Sequence, residues 1–428
     1  MKEKVLFLLL TIFVSACTQQ VQHKGTSALP EGDPVSNGVS PERLADVDSM
    51  CVRALRSGEV PGMVALIASH GSIVYYKAFG MADNQAGRAL EKDAVFRIAS
   101  QSKAITATAA MILWQEGKFN LDDPVSKYIP EFADAQVLAD FNPEDTTYTT
   151  VPASRPVTIR HLLTHTSGLG YGMIDGDSRF RMIYQKAGIV DLFTTKDVKI
   201  GDNEKKLAKL PLHQDPGTKF VYSEGLDVVG SLIEIWSGMP FDQFLKENLF
   251  DPLDMEDTWF YLPERLYDRL VTVQKPDSGK WVPYPVTFYD PDYPIKGART
   301  FFSGGAGLSS TAEDYATFLQ MYLNRGELNG TRILQSATID TIMKNQFPEV
   351  WDGTDTYYGL AFGVLTAQGA AKGIPGSAGT FNWGGYFNTQ YFADPEKQIL
   401  GILMKQTQQT RDSTGSQFRS LVFQSITE

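Results

Sequence analysis

From Ala104 to Trp114 the sequence is apolar on nearly every face of a helix. A surface helix shows one apolar stripe, whereas a helix that is apolar all round has to be covered on all sides. Gly117 follows at the place where a glycine commonly ends a helix in the left-handed conformation. The sequence therefore predicts a buried central helix, and the segments before and after it must provide the layers that cover it.

The entrance to this helix carries a serine and a lysine, Ser100 and Lys103, in the only Ser-x-x-Lys of the chain. Three residues are close to one helical turn, so the hydroxyl and the amine share one face. A serine becomes a nucleophile when a neighbouring base accepts its proton, and a lysine serves as that base when burial keeps its amine neutral. The structural alternative is that Ser100 caps the helix while Lys103 extends to the surface.

The N-terminus has the pattern of a bacterial export signal. Two lysines precede the apolar run from Val5 to Val14, which is too short to span a bilayer as a stable anchor. A lipobox-like sequence then ends in Cys17, which predicts a lipoprotein signal peptide over residues 1–16 and a lipid on Cys17. An ordinary secretory signal is the alternative. Because Thr18 rather than an aspartate follows the cysteine, we expect a lipid anchor in the outer membrane, with the domain facing the periplasm or the exterior.

Residues 17–40 are polar and without periodicity, and they are predicted to form a flexible tether. Beyond this tether Cys51 is the only cysteine, so a disulfide within the mature chain is excluded. The chain is acidic, with 39 Lys and Arg against 50 Asp and Glu, and it has no basic cluster. Nucleic acid is therefore not an expected partner.

Patterns typical of strands are concentrated near the two ends of the chain, while short helical patterns dominate the middle. The predicted elements are a helix over 41–56, a hairpin over 63–79, strands over 357–365, 389–393 and 398–404, and a closing helix over 417–426. We expect an α+β fold with an antiparallel sheet flanked by helices. The sheet part takes residues 41–95 and 300–428, and a mostly helical part over 96–299 carries the Ser-x-x-Lys.

The helical part contains three further residues of interest. His161 and His165 have the i,i+4 spacing of a zinc-binding helix, but Leu162 stands where a zincin has glutamate, so no metal is expected. Tyr222 lies in a short extended run between a Pro-Gly turn and the start of a helix. Such a loop can fix a phenol while leaving it exposed, which makes Tyr222 a candidate site residue.

Several motifs occur together in one order. They are Phe96 to Lys103, Leu121 to Val125, His161 to Leu169, Tyr222-Ser223, Pro252 to Thr258 and Gly304 to Asp314. With this set, the chain from about Pro41 to Ser425 resembles the serine β-lactamase-like superfamily, which covers class C β-lactamases, low-molecular-weight D,D-peptidases and family VIII carboxylesterases. The resemblance implies the β-lactamase/transpeptidase-like fold and acyl-transfer chemistry without a cofactor.

The resemblance also implies roles for the matching residues of the first two motifs. Ser100 matches the acylated nucleophile, and Lys103 matches its proton acceptor. Tyr222 matches the tyrosine that passes protons to the leaving group and activates the nucleophile of deacylation. In the superfamily these three residues act as one catalytic unit.

A third motif is implied by Trp383-Gly384-Gly385, which is followed by a strand as in family VIII esterases. The backbone N–H of Tyr386 is then expected to form an oxyanion hole together with the N–H of Ser100. Trp383, Gly384 and Gly385 are expected to line the substrate site.

Two positions depart from the β-lactamases and peptidases of the superfamily. Trp383 replaces the cationic residue that holds a substrate carboxylate, and Glu224 replaces the asparagine of the second motif. An uncharged ring and an added anion both disfavour anionic substrates, so Trp383 and Glu224 are expected to contact a neutral one. The alternatives are an aromatic packed beside the sheet for Trp383 and a solvated helix N-terminus for Glu224.

These observations predict a serine hydrolase or acyltransferase of the cell envelope that works through a Ser100 acyl-enzyme on small-molecule esters or amides. A family VIII-like carboxylesterase on small esters is the first hypothesis. A D,D-peptidase, β-lactamase-like or D-amino-acid amidase activity on cell-wall-type peptides is the second, and a non-catalytic envelope binding protein is the third. The intact set of Ser100, Lys103 and Tyr222 argues against the third, and the lack of Gly-x-Ser-x-Gly argues against an α/β-hydrolase.

Overall fold

The structure, a computed structural model, describes residues 28–427. Its strands in chain order are β1 Gly62–Ser69, β2 Ser72–Asp83, β3 Arg88–Ala89, β4 Phe96–Arg97, β5 Gln136–Phe141, β6 Tyr148–Pro152, β7 Gln274–Asp277, β8 Lys280–Pro283, β9 Ser309–Ser310, β10 Glu327–Leu328, β11 Thr331–Arg332, β12 Thr356–Tyr358, β13 Gly363–Leu365, β14 Phe381–Gly385, β15 Thr389–Asp394 and β16 Ile399–Met404. Eight of them form one antiparallel sheet in the order β12-β13-β14-β15-β16-β1-β2-β3.

The helices surround this sheet and fill the middle of the chain. They are α1 Pro41–Arg56, α2 Ser102–Gln115, α3 Ile159–Leu163, α4 Ser178–Ala187, α5 Ile200–Leu207, α6 Gly225–Ser237, α7 Phe241–Leu245, α8 Tyr293–Lys296, α9 Ala312–Leu323, α10 Ser336–Met343, α11 Ala367–Ala371 and α12 Thr414–Ser425. Within residues 28–427 none of the helices is both long enough and apolar enough to cross a bilayer.

The central strand β1 is buried along its whole length because both faces of the sheet are covered. Side chains alternate between the faces of a strand. Accordingly Val64 and Leu66 belong to the core shared with α2 and α9, whereas Ala65 and Ile67 belong to a second core that α1 and α12 cover. The sheet is thus the middle layer between two helical layers.

The predicted buried helix is α2, and every residue from Ser102 to Leu113 is buried. It packs against α6, which belongs to the helical part of the chain. A 3-10 turn over Ala99–Gln101 leads into α2, so Ser100 lies just before the α-helix proper. The 3-10 turn contacts β14 and β15 of the sheet while α2 contacts α6, so the entrance to α2 is held from both sides.

The structure confirms the predicted fold class, a large antiparallel sheet that is flanked by helices and assembled from both ends of the chain. The expected strand over 357–365 is two strands, β12 and β13, because the chain reverses at Gly359, whose N–H donates to the carbonyl of Phe362. The helical part also contains two hairpins, β5–β6 and β7–β8.

The predicted flexible tether over 17–40 is wrong for the part that the structure describes. Residues 28–40 pack on the domain: Leu29 and Val39 are buried, and Glu31 forms a β-bridge with Ile73. The segment packs on the domain through apolar side chains spaced among polar ones and through this backbone pairing. The predicted signal peptide over 1–16 and the lipidated Cys17 lie outside the described residues.

Candidate active site

Two features of the preceding residues fix the backbone at Ser100: the pairing of strand β4 and the positive φ of Ala99. Strand β4 pairs with β9 immediately before the turn, and the N–H of Ile98 donates to the carbonyl of Leu308 at 3.0 Å. Ala99 then has a φ of 46°, a conformation that is unfavourable for a residue other than glycine. This turn presents Ser100 at the start of α2, where its hydroxyl remains partly exposed.

Lys103 is fully buried one turn later. Its Nζ lies 3.5 Å from Ser100 Oγ, 2.9 Å from Tyr171 Oη and 2.6 Å from the carbonyl oxygen of Gly305. No Asp or Glu of the described residues forms an ion pair with this amine within 4.0 Å. The structure therefore places a lysine without a direct counter-ion next to the serine hydroxyl, an arrangement suited to accepting its proton.

Tyr222 faces the same point from the loop that precedes α6. Its ring centroid is 4.6 Å from Lys103 Nζ, and its hydroxyl has no hydrogen-bond partner among the described residues. The rings of His165 and Trp383 flank it, with centroids at 4.5 and 5.9 Å. The phenol is held by ring packing, and its hydroxyl is buried and unpaired rather than exposed as predicted. An unpaired hydroxyl can still form a hydrogen bond to a substrate and exchange a proton with it.

The two histidines support this loop. Nδ1 of His165 accepts a hydrogen bond from the Ser223 N–H at 3.2 Å, and burial lowers the pKa of His165 well below its ordinary value. His161 takes part in a capping box with Thr158 at the start of α3, and burial lowers its pKa to about 4. Both rings are neutral near pH 7. Within residues 28–427 no three His, Cys, Asp or Glu side chains are grouped to hold a metal ion.

The third predicted motif, Trp383-Gly384-Gly385, lies in β14 beside the nucleophile. A Cβ on Gly385 would clash with the carbonyl of Ile98, so a glycine is needed for the strand to approach the turn that carries Ser100. Strand β13 pairs with β14 only as far as Asn382, which leaves the edge at Trp383 and beyond without a neighbouring strand. This edge is accessible to a substrate.

A cavity of about 700 Å³ opens along this edge. Its lining includes the predicted site residues Ser100, Tyr222, Trp383, Gly384, Gly385 and Tyr386. The structure thus brings together the nucleophile, the tyrosine, the third motif and Tyr386, whose N–H was predicted to complete the oxyanion hole. A cavity of this size fits a small organic substrate.

Glu224 is the predicted site residue that the structure places elsewhere. Its side chain is only 1% exposed and is not part of the cavity lining. Burial, together with the neighbouring carboxyls of Asp191 and Glu204, raises the pKa of Glu224 well above its ordinary value. The prediction that Glu224 contacts substrate as an anion is wrong, because α5 and the loop before it cover the start of α6 and exclude solvent.

Three residues for which the sequence predicted no role also belong to the site. Tyr171 contacts Lys103 directly, and Gly305 provides its closest acceptor. Arg419 lines the far part of the cavity and donates to the carbonyl of Pro375 at 2.9 Å. The motif ending at Leu169 stops two residues before Tyr171, but nothing in the local pattern marked that tyrosine.

Arg419 does not replace the cation that Trp383 lacks. Its guanidinium lies over the ring of Phe392 at 5.7 Å, and Phe392 belongs to the core between the sheet and α12. Trp383 instead contacts Tyr222, on the face that carries Ser100. The only arginine of this cavity lining therefore lies on the opposite face of the sheet from the ring at the third motif.

The fold, a serine beside a buried lysine and a facing tyrosine are together the features of a serine hydrolase. The chain belongs to the β-lactamase family, whose pattern matches residues 47–422. These findings confirm the superfamily and the enzyme class that the motifs predicted.

Two similar proteins are named as esterases, and a similar solved structure is described as a hydrolase. The chain is 34% identical over 394 residues to the esterase EstB of Burkholderia gladioli, covering 88% of this chain and 93% of the relative. It is 28% identical over 386 residues to the lovastatin esterase of Penicillium rubens, covering 83% and 91%. The solved structure of EstCE1, described as a hydrolase with promiscuous acyltransferase activity, matches with a TM-score of 0.76 at 29% identity, covering 89% of this chain and 99% of that one.

Proposed function

We propose that this protein is a carboxylesterase that cleaves small neutral esters, or transfers their acyl groups, through a covalent acyl-enzyme on Ser100. Relatives named as esterases support ester substrates. The proximity of Ser100 Oγ and Lys103 Nζ supports the covalent step.

In acylation, Ser100 Oγ attacks the carbonyl carbon of the ester while its proton moves to Lys103 Nζ. The carbonyl oxygen becomes an oxyanion that accepts hydrogen bonds from the N–H groups of Ser100 and Tyr386, and one such donor is worth about 3 kcal/mol. The bond to the alcohol oxygen then breaks. Tyr222 Oη donates a proton to that oxygen, and Lys103 returns the proton to the phenol.

In deacylation, a water molecule attacks the acyl carbon and gives a proton to Tyr222 Oη, while the phenol's own proton moves to Lys103 Nζ. The bond between the carbon and Ser100 Oγ breaks, and the proton returns to Oγ. An alcohol in place of water accepts the acyl group by the same steps. Hydrolysis and acyl transfer therefore differ only in which nucleophile reaches the acyl-enzyme.

The observation that carries the substrate proposal is the aromatic lining next to Ser100. The rings of Trp383, Tyr222 and Tyr386 border the cavity, and aromatic faces favour apolar acyl or alkoxy groups. Trp383 occupies the position at which, by the resemblance, the β-lactamases and peptidases of the superfamily hold a substrate carboxylate with a cationic residue. A substrate without a carboxylate loses nothing at this position, whereas a β-lactam or a D-Ala-D-Ala peptide loses its main electrostatic contact.

The test compares kcat/KM for p-nitrophenyl butyrate with that for nitrocefin and for a D-Ala-D-Ala peptide. We expect the ester to be the better substrate, and we expect Trp383→Lys to raise the relative rate for nitrocefin. Glu224→Gln is the matched control and should leave the ratio unchanged, since this side chain lies outside the cavity. A wild-type preference for the carboxylate-bearing compounds would assign the protein to the peptidase-like or amidase-like branch instead.

Covalent labelling tests the nucleophile directly. A fluorophosphonate probe should add one adduct to the wild-type protein at Ser100, and Ser100→Ala should abolish both the adduct and ester turnover. Ser102 is fully buried, and its Oγ accepts a hydrogen bond from the Leu308 N–H. An adduct on Ser102 would contradict the assignment.

We also propose that the enzyme is anchored to the cell envelope by a lipid on Cys17. The support is the sequence alone, an apolar run that ends in a lipobox-like motif. Cys17→Ser should prevent acylation and release the protein from the membrane fraction. Wild-type protein that fractionates as soluble, or processing that globomycin does not block, would contradict this proposal.

A further inference from the structure

Asp227 lies in the first turn of α6 and is not part of the cavity lining. The side chain is 2% exposed. Its Oδ1 accepts hydrogen bonds from the Ser303 hydroxyl at 2.5 Å and from the Gly305 N–H at 3.2 Å. Its Oδ2 has no hydrogen-bond partner among the described residues. The carboxyl group is thus attached to one short turn, residues 303–306.

The same turn provides the closest contact of the base. The Gly305 carbonyl accepts a hydrogen bond from Lys103 Nζ at 2.6 Å, while the N–H of the same residue donates to Asp227. A Cβ on Gly305 would lie 2.6 Å from Asp227 Oδ2 and 3.2 Å from Tyr171 Oη. Glycine therefore lets a carboxyl, a phenol and the lysine amine converge on one residue.

We propose that Asp227 is a positioning residue for the base: it holds the Gly305 carbonyl against Lys103 Nζ and supplies the negative charge that stabilises the ammonium formed when Ser100 loses its proton. This inference rests on the proposed function of Ser100 and Lys103. The proton moves from Oγ to Nζ as the bond from Oγ to the carbonyl carbon forms, and Asp227 gains and loses none.

A Ser-His-Asp triad offers the physical precedent for such a role. There the aspartate orients the base and stabilises its protonated form without touching the substrate. In this protein the carboxylate reaches the lysine through Gly305 rather than by a direct hydrogen bond. The indirect arrangement avoids a close ion pair, which would hold Lys103 permanently in its charged form.

The charges around Lys103 and Asp227 are consistent with the positioning role of Asp227. Burial raises the pKa of Asp227 above its ordinary value, while the Ser303 hydroxyl and the Lys103 amine oppose that shift and favour the carboxylate. The other titratable groups that face Lys103 or Asp227 are Tyr171, Tyr222, His165, Asp191, Glu204 and Glu224. Burial raises the pKa of Glu204 and Glu224 well above their ordinary values, so both favour the neutral acid.

The test measures the pH dependence of kcat/KM for p-nitrophenyl butyrate and of fluorophosphonate labelling at Ser100, both on the full-length protein. Asp227→Asn keeps the shape and the acceptor oxygen but removes the charge. We expect the acidic limb of both profiles to move about one pH unit lower, because removing a nearby negative charge disfavours the protonated form of a base. We also expect the plateau to fall about tenfold, because the ammonium formed in the reaction is less stabilised.

Glu204→Gln is the matched control, since it makes the same acid-to-amide replacement at a neighbouring buried side chain that favours the neutral acid, and it therefore removes no negative charge near Lys103. Its limb and plateau should equal those of the wild type. An Asp227→Asn enzyme with an unshifted limb would overturn the proposal. If Asp227→Asn does not fold, Ser303→Ala keeps the carboxyl and removes its closest donor; a lower plateau supports the proposal, and wild-type kinetics overturn it.

Different results would overturn the proposed function and the proposed role of Asp227. Absence of any label on wild-type Ser100 across the pH range would overturn the proposed function itself. A labelled Ser100 whose profile is indifferent to Asp227→Asn would overturn only the role of Asp227.

Discussion

Lys103 and Lys405 are both completely buried, yet their surroundings differ in kind. Lys405 Nζ donates to the Asp412 carboxylate at 2.8 Å and to the Thr414 hydroxyl at 2.7 Å. Lys103 Nζ is surrounded by a peptide carbonyl, a phenol and the Ser100 hydroxyl, and no described carboxylate lies within ion-pair distance of it.

The difference shows what each lysine is placed to do. Burial lowers the pKa of Lys405 below its ordinary value, and the adjacent Asp412 opposes that shift and keeps the ammonium form. A buried ion pair of this kind fixes two parts of a structure together. A lysine that has to take up and release a proton cannot be bound in this way, and the counter-charge proposed for Lys103, Asp227, is hydrogen-bonded to Gly305 and not to the amine itself.

The comparison is tested most strongly by the same substitution at both lysines. Lys103→Arg keeps a positive charge but cannot give up its proton, so we expect kcat/KM to fall about a thousandfold. The folded structure should persist, as measured by far-UV circular dichroism. Lys405→Arg is the control and should retain wild-type activity per folded molecule. Comparable activity losses at the two positions would remove the distinction between a base and a structural ion.

Loss of the ion pair should affect stability and not chemistry. Lys405→Met leaves the Asp412 carboxylate buried without its cation, which we expect to lower the free energy of unfolding by about 3–5 kcal/mol. Urea denaturation measures this change. The kcat of the folded fraction should remain that of the wild type. A large fall in kcat without loss of stability would assign Lys405 to the catalytic machinery.

The pH dependence of stability also tests whether Lys405 and Asp412 form a structural ion pair. Burial tends to raise the pKa of Asp412, but Lys405, together with hydrogen bonds from Thr414 and Asn388, outweighs burial, and the net pKa lies below the ordinary value. A carboxyl with a depressed folded pKa contributes stability above its unfolded pKa, and this contribution is lost as the pH falls through the folded pKa. The advantage of the wild type over Lys405→Met/Asp412→Asn should therefore shrink below about pH 4. An advantage that is constant down to pH 2 would contradict this.

The sequence was most informative where geometry depends on local spacing. Ser100 and Lys103 are three residues apart on one helix, so their proximity follows from the helical period. Tyr171 contacts this amine, and Asp227 is linked to it through Gly305, only because segments that are distant in the sequence pack around the first turn of α2. No local pattern encodes that packing. Glu224 was misplaced for the same reason, since a helix start looks solvated until another layer covers it.

The secondary structure, too, was predictable where it is buried and not where it is exposed. The buried strands near the chain ends and the buried helix α2 have strong patterns, because their apolar side chains must meet a core. Hairpins β5–β6 and β7–β8 lack such a pattern, since most of their side chains are exposed or only partly buried. Their strands form by backbone pairing on the surface, where composition is weakly constrained.

The smallest expected effect concerns the phenol that the sequence did not reveal. Tyr171 Oη lies 2.9 Å from Lys103 Nζ, and its removal takes away one of the groups that orient the amine toward Ser100. We expect Tyr171→Phe to lower kcat about tenfold with little change in KM, since one hydrogen bond to a charged group is worth about 1.5–3 kcal/mol. Steady-state kinetics with p-nitrophenyl butyrate measure this change.

Tyr322→Phe provides the matched control for this variant. The Tyr322 hydroxyl also reaches a side chain of α2, that of Thr108 at 2.6 Å, but it lies farther along the helix from the base. Its loss should reduce stability by about 1 kcal/mol and leave kcat unchanged. Equal effects of the two substitutions on kcat would mean that Tyr171 acts by general packing around α2. An effect confined to Tyr171→Phe would show that neutral hydrogen-bonding partners orient the catalytic lysine, as Asp412 and Thr414 orient the structural one.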